Sequence, residues 1–348
     1  MKYLFVESSI TGHRIIYHKT LIEAVGVEKS ILITPEIEPA IGCKQIINSY
    51  INLQPRTLQD YNKWIDYILE ISKTNNIEII HILDGDLLYR FWGIGLKKLA
   101  EYKIIVTYHH IKNDFAHRIS VGRIAKNIEY CVVHTRRLKE RFSGIPNLKL
   151  IHYPHFQDGD MLPRTDARKF YNIEDNAKVY LLLGGTRYEK GADIFMKSLK
   201  YVRHKGIVVL IAGKENTFSE EYLRKLNTSG IKVIYRMGYL SPDEWNMALI
   251  ASDYVVLPYR KKFTGASGPL TEAVWFQKII IGPNVESIGD IIKTYKLGYT
   301  YKAENEKALA IAIDYAYEKG LQIGDRYKEY VKEISPQKFV QAYQQIYG

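Results

Sequence analysis

This 348-residue chain has little cysteine and no long apolar segment. Its two cysteines, Cys43 and Cys131, match no metal-ligand spacing, and so small a number excludes a disulfide framework. No run of about 18 uncharged apolar residues occurs, so we expect no membrane-spanning helix. The first ten residues, MKYLFVESSI, include an acidic residue and lack a small-residue cleavage site, which is typical of a strand and not of a signal peptide. We therefore expect a cytoplasmic protein.

The charge of the chain is strongly basic, with a net charge of +11 and a pI of about 9.2, and this favours an anionic partner. The excess is local, because residues 87–149 hold 13 Lys and Arg against 4 Asp and Glu, whereas residues 1–86 hold 8 against 11. Within residues 90–126, basic side chains alternate with aromatic and aliphatic ones, a pattern typical of helices on an anionic membrane surface. It would place the protein peripherally on the inner face of the membrane.

Two other interpretations of this basic segment remain open. A solvated helix face whose apolar side packs in the core has the same composition. A nucleic-acid-binding protein is the rival functional class, but the chain has no nucleic-acid-binding motif, and we expect no nucleic-acid partner.

Apolar runs alternate with amphipathic segments along the chain, and this order predicts parallel sheets covered by helices. The predicted strands are residues 2–6, 30–34, 77–83, 103–108, 130–134 and 148–153, then 178–185, 206–213, 230–237, 253–259 and 278–282. The clearest helix is residues 58–73. Residues 154–170, with two prolines and clustered aspartates, are typical of a linker. We therefore predict two doubly wound, Rossmann-like α/β domains, residues 1–160 and 161–326, with a ligand-binding cleft between them.

The stretch LLLGGTRYEKGADIF, residues 181–195, places two cations between a strand and a helix. Gly184 and Gly185 let the backbone approach a ligand closely at the strand end. Arg187 and Lys190 follow, just before a helix whose first amides favour anions. The stretch predicts a phosphate-binding loop that is neither a Walker A loop nor a dinucleotide fingerprint. Exposed loop cations without a ligand are the alternative.

A second stretch, DYVVLPYRKKFTGASGPLTEAVWFQKIIIG, has small residues around a predicted helix start. Pro269 suits the first turn of that helix, and the small residues before it expose amides that favour an anion. Glu272 is predicted to lie within the first turn of that helix, where its carboxylate can accept hydrogen bonds from a ribose. An acidic residue placed there only by the helix dipole is the alternative. Two phosphate-binding loops in one domain favour the ligand-binding interpretation of both.

Together these motifs resemble the donor-binding domain of retaining glycosyltransferases of family 4, which have the GT-B fold. The resemblance covers residues 178–315 and follows the family's order: Arg and Lys before KG, then IAGK, SDYVVLPYR and TGASGPLTEA. It implies that Arg187 and Lys190 bind the donor diphosphate as catalytic residues and that Glu272 binds the ribose. The other donor-binding positions that it implies are Gly185, Lys214, Thr264, Gly265, Ser267, Gly268 and Pro269.

The N-terminal half resembles the acceptor-side domain of the same family more weakly. By that resemblance, Gly12 lies near the donor phosphates and His109 is a catalytic residue beside the donor sugar, with His110 as the alternative. His155, before the linker, is expected to be structural. Residues 327–348 are expected to form a helix that returns to the first domain.

The resemblance implies a retaining hexosyltransferase that moves a sugar from a nucleotide diphosphate, with UDP preferred to GDP, to a glycan or lipid-linked acceptor in cell-surface polysaccharide synthesis. Arg187 and Lys190 can neutralise the diphosphate, so we expect no metal and no cofactor. The chain departs from the family at Thr264, where an acidic residue is common, and this leaves the donor sugar open. A nucleotide-sugar epimerase and a nucleotide-binding pseudoenzyme, both with the GT-B fold, are the remaining alternatives.

Overall fold

Two units make up the fold in a computed structural model of the chain. The structure describes residues 1–10, 13–47, 52–112, 114–156, 162–320 and 322–348. The first unit comprises Met1–Phe156 and Pro336–Gly348, and the second comprises Gln157–Ser335. No helix within these described ranges is both long and apolar enough to span a bilayer.

The first unit is built on a seven-stranded sheet in which all neighbouring strands are parallel. Its strands are β1 (Tyr3–Val6), β2 (Ser30–Ile33), β3 (Lys44–Ile46), β4 (Ile79–Ile82), β5 (Lys103–Tyr108), β6 (Tyr130–Val133) and β7 (Leu148–Leu150). They lie in the order β3-β2-β1-β4-β5-β6-β7. The helices before the second unit are α1 (His13–Val25), α2 (Leu58–Thr74), α3 (Phe115–Ala125) and α4 (Arg136–Arg141).

Side chains of β1 show how both faces of this sheet are covered. Leu4 and Val6 point to one face, in a cluster with Trp64 and Ile68 of α2. Phe5 points to the other face, in a second cluster that includes residues of α1. Such strands have apolar residues at successive positions because neither face meets water. The predicted helix at residues 58–73 is confirmed, and its first turn is capped by the Thr57 hydroxyl, which accepts from the Asp60 amide.

The second unit has a six-stranded parallel sheet in the order β10-β9-β8-β11-β12-β13. Its strands are β8 (Val179–Leu183), β9 (Val208–Gly213), β10 (Lys232–Met237), β11 (Tyr254–Val256), β12 (Ile279–Pro283) and β13 (Gly298–Tyr301). Its helices are α5 (Arg164–Phe170), α6 (Ala192–Ser198), α7 (Glu220–Leu226), α8 (Pro242–Ala251), α9 (Gly268–Trp275), α10 (Glu286–Tyr295), α11 (Glu306–Lys319) and α12 (Asp325–Glu333). The parallel order follows the predicted alternation of strands and helices. Strands β3 and β13, which the sequence interpretation missed, lie at sheet edges.

The chain returns to the first unit later than predicted. Residues 327–348 were expected to return together, but Tyr327 and Tyr330 of α12 are buried in the core of the second unit. The Tyr327 hydroxyl also donates to the Lys278 carbonyl at 2.9 Å. Only the last helix, α13 (Pro336–Tyr347), belongs to the first unit.

Helix α13 joins the core of the first unit through a chain of buried hydrogen bonds. The Tyr343 hydroxyl lies 2.7 Å from that of Tyr17 and 3.0 Å from that of Thr107. His81 connects to Thr107 at 2.8 Å and to the Tyr347 hydroxyl at 2.7 Å. Each polar group in this buried chain has a partner, so the last helix is part of the core. His155, expected to be structural, is also buried in this unit.

Candidate active site

The loop after β8 begins at Gly184, whose backbone has a φ of +98°. A Cβ atom on this residue would lie 3.2 Å from Lys190 Nζ and 3.5 Å from Pro269 Cγ. Glycine therefore allows both the backbone turn and the close approach of these groups. The contact also places the Lys190 amine near the start of α9, so the two loops predicted to bind phosphate meet at the carboxyl edge of the sheet.

The end of the same loop is fixed against β11. At Gly191, with a φ of +67°, a Cβ atom would lie 2.0 Å from the Pro258 carbonyl oxygen, so only glycine fits here. On the other side, the Thr186 amide donates to the Lys214 carbonyl at 3.0 Å, which joins the loop to the end of β9. The predicted site residue Gly185 lies just before Thr186 in this loop. The loop is thus held between the strands on either side of β8.

Arg260 and Asp193 form an ion pair beneath the loop that the sequence interpretation did not assign. Arg260 Nη2 lies 3.0 and 2.8 Å from the two Asp193 carboxylate oxygens, and both side chains are buried. The Arg260 guanidinium also donates to the Tyr188 carbonyl and lies 3.8 Å from the centre of the Tyr188 ring. Its backbone amide donates to the Glu189 carbonyl at 2.9 Å. The pair therefore holds the segment between Arg187 and Lys190.

The two cations of the loop differ in environment. Arg187 is half exposed, and its Nε lies 3.0 Å from Glu189 Oε1. Lys190 is partly buried, with its amine 5.6 Å from the centre of the Tyr259 ring. Burial, together with the positive charge of Arg187, lowers the pKa of Lys190 to about 8. An anionic ligand would relieve both effects, so the loop favours an anion.

The second loop presents the start of α9 next to Tyr259. The Ser267 hydroxyl caps this helix by accepting from the Leu270 amide and lies 2.9 Å from the Tyr259 hydroxyl. Gly268 and Pro269 begin the helix, where the Gly268 amide and the helix dipole favour an anion. Pro269 has no N–H, and the Leu270 and Thr271 amides already donate to Ser267. Glu272 is fully buried one turn later. The predicted positions Thr264 and Gly265 lie in the preceding loop, partly exposed and buried respectively.

A cavity of about 560 Å³ lies at the carboxyl ends of β9 and β10. Lys214, whose backbone pairs with the first loop, lines it together with Met237, Gly238 and Tyr239. Tyr239 is largely exposed, at 79%. The cavity thus lies next to the first loop and has an aromatic ring, Lys214 and two acidic side chains, Glu215 and Glu220, in its lining.

Residues 163–334 match the family model described as glycosyl transferases group 1. The match covers almost all of the second unit, which we therefore call the group 1 domain. No curated protein sequence matches the chain. A glycosyltransferase from Rickettsia africae is 16% identical with a TM-score of 0.78, and the likeness covers 99% of this chain and 97% of that one. Sucrose-phosphate synthase from Thermosynechococcus elongatus is 15% identical with a TM-score of 0.78, covering 99% and 98%.

The Anabaena protein HepE, in complex with UDP, is 12% identical with a TM-score of 0.77, and the likeness covers 99% of each chain. With two parallel α/β units and these structural neighbours, the chain has the GT-B fold. All predicted site residues from Gly185 to Glu272 lie in the group 1 domain, at the carboxyl edge of its sheet.

The first unit carries the two remaining predicted site residues. His109 follows β5, and its Nε2–H donates to the Leu83 carbonyl at 3.0 Å. Burial and the neighbouring His134 and Arg14 hold the pKa of His109 well below its usual range, so the imidazole is neutral. Gly12 lies outside the described residues.

Proposed function

We propose that this protein is a retaining glycosyltransferase of family 4 that transfers a hexose from a nucleotide diphosphate to a glycan or lipid-linked acceptor. The observation that carries the proposal is the meeting of two anion-binding loops in the group 1 domain, where the Lys190 amine lies beside Gly184 and Pro269. Cell-surface polysaccharide synthesis is the pathway class that we propose for such a product.

Charge stabilisation is the catalytic effect proposed for these loops. Breaking the bond from the sugar to the β-phosphate builds negative charge on the leaving nucleoside diphosphate. Arg187 and Lys190 stabilise that charge, each contributing about 1.5–3 kcal/mol if it acts as a charge-assisted hydrogen bond. The Gly268 amide and the dipole at the start of α9 add to the same effect, so the proposed reaction needs no cofactor. We assign neutral His109 and Gly12 to the donor sugar and phosphates by family resemblance.

A UDP-sugar is the proposed donor. We propose that the cavity lined by Lys214 and Tyr239 takes the nucleoside, and the exposed Tyr239 ring, on which a flat base can stack, supports this. HepE, which shares the fold, was crystallised with UDP-glucose as well as with UDP. Buried Glu272 is proposed to accept hydrogen bonds from the ribose hydroxyls.

UDP should raise the free energy of unfolding by about 2.7 kcal/mol when it is present at about 100 times its Kd. Glu272→Gln should reduce UDP affinity without a matching loss of kcat, because a ribose contact changes little during bond breaking. Thermal unfolding with UDP, GDP and ADP measures the first effect, and steady-state kinetics measure the second. Glu306→Gln, at the first turn of α11, is the matched control. If the parent binds none of the three nucleotides, the proposed function is wrong.

An anionic membrane surface is the proposed partner of helix α3. Phe115 is 78% exposed and Ile119, one turn later, is 41% exposed. Exposed Arg118 and Arg123 lie on the same helix. Exposed apolar residues flanked by cations suit the interface of an anionic bilayer, where a lipid-linked acceptor would also lie.

The protein should therefore sediment with vesicles of phosphatidylcholine and phosphatidylglycerol at low salt and detach at high salt. Combined neutralisation of Lys97, Lys98, Arg118 and Arg123 should abolish sedimentation and leave UDP affinity unchanged. Phe115→Ser should weaken sedimentation, whereas Phe170→Ser, at a half-exposed phenylalanine of the second unit, should not. Equal sedimentation with pure phosphatidylcholine vesicles would contradict the electrostatic interpretation.

A further inference from the structure

Two neighbouring strands of the first unit, β1 and β4, end in a group of carboxylates that the proposed donor chemistry does not use. Glu7 follows β1, and Asp84 and Asp86 follow β4. Arg14 Nη1 connects two of them, at 2.8 Å from Glu7 Oε1 and 3.2 Å from Asp84 Oδ2. We call Glu7, Arg14, Asp84 and Asp86 the carboxylate cluster. It lies at the carboxyl edge of a parallel sheet, where α/β folds bind ligands.

Glu7 is the buried member of the cluster, and its carboxylate contacts groups of the same unit. Its Oε1 accepts from the amides of Ser8 and Ser9 at 2.7 and 3.0 Å. Its Oε2 lies 2.8 Å from Nε2 of buried His18. Burial opposes ionisation, but the bonds from His18, Arg14 and Ser9 lower the pKa of Glu7, so it stays charged. Glu7 therefore positions Arg14 through Oε1 and faces His18 through Oε2.

Asp86 uses only one of its two carboxylate oxygens in a hydrogen bond. Its Oδ2 accepts from the His110 amide at 2.8 Å. Its Oδ1 is fully buried and has no hydrogen-bond partner among the described residues. Burial and the charge of Asp84 raise the pKa of Asp86 to about 7, against the opposing effects of Arg14 and the amides of His109 and His110. A buried oxygen without a donor is costly, and a ligand that donates a hydrogen bond would remove that cost.

The charge balance restricts what that ligand is. Glu7, Asp84 and Asp86 face Arg14 and His18, and Asp84 together with ionised Asp86 would repel a phosphate or carboxylate group. The described residues contain no group of His, Cys, Asp and Glu able to hold a metal ion, which argues against a cation site here. Sugar hydroxyls donate hydrogen bonds to carboxylates and carry no charge. The cluster thus has the opposite preference to the cationic loop at Arg187 and Lys190.

We propose that Asp86, together with Asp84, binds hydroxyl groups of an uncharged sugar and that the carboxylate cluster excludes anionic sugars. Identifying that sugar as the acceptor of the transfer rests on the proposed function, whereas the binding preference does not. The cluster would then select an acceptor whose reacting end carries neither a phosphate nor a carboxylate.

Ligand-observed NMR by saturation transfer to the full-length protein tests the proposal. The neutral probes are the methyl glycosides of glucose, galactose and mannose, and the anionic probes are glucuronate and galacturonate. At least one neutral glycoside should bind, and Asp86→Ala should weaken it by about tenfold or more because the accepting oxygen is lost. Asp86→Asn, which keeps the shape but removes the charge, should increase uronate binding. Asp66→Asn, at an exposed site of the same unit, should change neither.

UDP binding to each variant, measured in parallel, shows that the protein is folded and tests the donor site separately. Failure of UDP to bind counts against the proposed function and leaves the sugar-binding result to stand alone. The carboxylate-cluster proposal is overturned if no neutral glycoside binds the parent. It is also overturned if uronates bind as well as neutral glycosides, or if Asp86→Ala binds the neutral glycoside like the parent.

Discussion

Lys190→Met and Arg187→Ala should each lower kcat by about 10²-fold or more, because each removes charge stabilisation that grows as the diphosphate leaves. Folding should change little. Arg187 is half exposed, and surface substitutions of this kind usually stay within about 0.5 kcal/mol. Burial and Arg187 disfavour the charged form of Lys190. Methionine is uncharged and of similar length, so Lys190→Met removes the cost of keeping a charge at this position. Donor turnover and denaturant unfolding curves for each variant make the comparison.

Lys169→Met, at an exposed position of α5, is the matched control and should behave like the parent in both measurements. The expected pattern is a large kinetic effect with a small stability effect at the two loop cations and neither effect at the control. If both loop variants turn over the donor like the parent, Arg187 and Lys190 are ordinary surface charges and the donor site lies elsewhere.

The lowered pKa of Lys190 also predicts the pH dependence of nucleotide binding. With a pKa of about 8, the amine is mostly protonated at pH 7 and loses its charge as the pH rises through 8. A bound diphosphate favours the charged form and raises the pKa, so affinity should be greatest below pH 8 and fall above it. Calorimetric titration with UDP from pH 7 to 10 should show this decline in the parent and a weaker one in Lys190→Met.

The sequence predicted those parts of the site that depend on local pattern. An apolar run that ends in glycines, followed by cations and a helix, places Gly184, Arg187 and Lys190 at a strand end without any knowledge of the rest of the fold. The same holds for Ser267 and Pro269, since the capping hydroxyl and the first-turn proline mark a helix start. The order of strands and helices likewise fixed the parallel sheets.

Contacts between distant segments were beyond prediction because no local pattern encodes them. Arg260 and Asp193 are 67 residues apart, and Asp84 lies 70 residues from Arg14. For the same reason, the sequence does not predict which unit a helix packs against. The aromatic residues of α12 mark a buried face, but the sequence does not say which unit buries it. Strand β3 was missed because it begins with polar Lys44 and Gln45 and lacks the apolar run that marked the equally short β7 and β11.

Asp193→Ala should destabilise the protein more than either loop substitution. It leaves the Arg260 guanidinium buried without its two carboxylate contacts, and breaking a buried ion pair in this way costs about 3–5 kcal/mol. Because Arg260 also holds the Tyr188 and Glu189 carbonyls, the loop that carries Arg187 and Lys190 should lose its geometry. Denaturant unfolding curves measure the first effect, and kcat at a temperature where the variant remains folded measures the second.

Arg260→Lys tests whether the positive charge of Arg260 is sufficient or whether its hydrogen-bond geometry is also needed. Lysine keeps the positive charge beside Asp193, but its one amine cannot replace both Nη2, which contacts the two Asp193 oxygens, and Nη1, which donates to the Tyr188 carbonyl. We expect a smaller loss of stability than in Asp193→Ala but a clear loss of kcat, with UDP affinity reduced less than turnover. Asp253→Ala, which breaks the Arg168 ion pair in the same unit, is the matched control. It should destabilise the fold and leave kcat of the folded fraction unchanged. If Arg260→Lys keeps full turnover, the buried pair holds the fold together and does not position the loop.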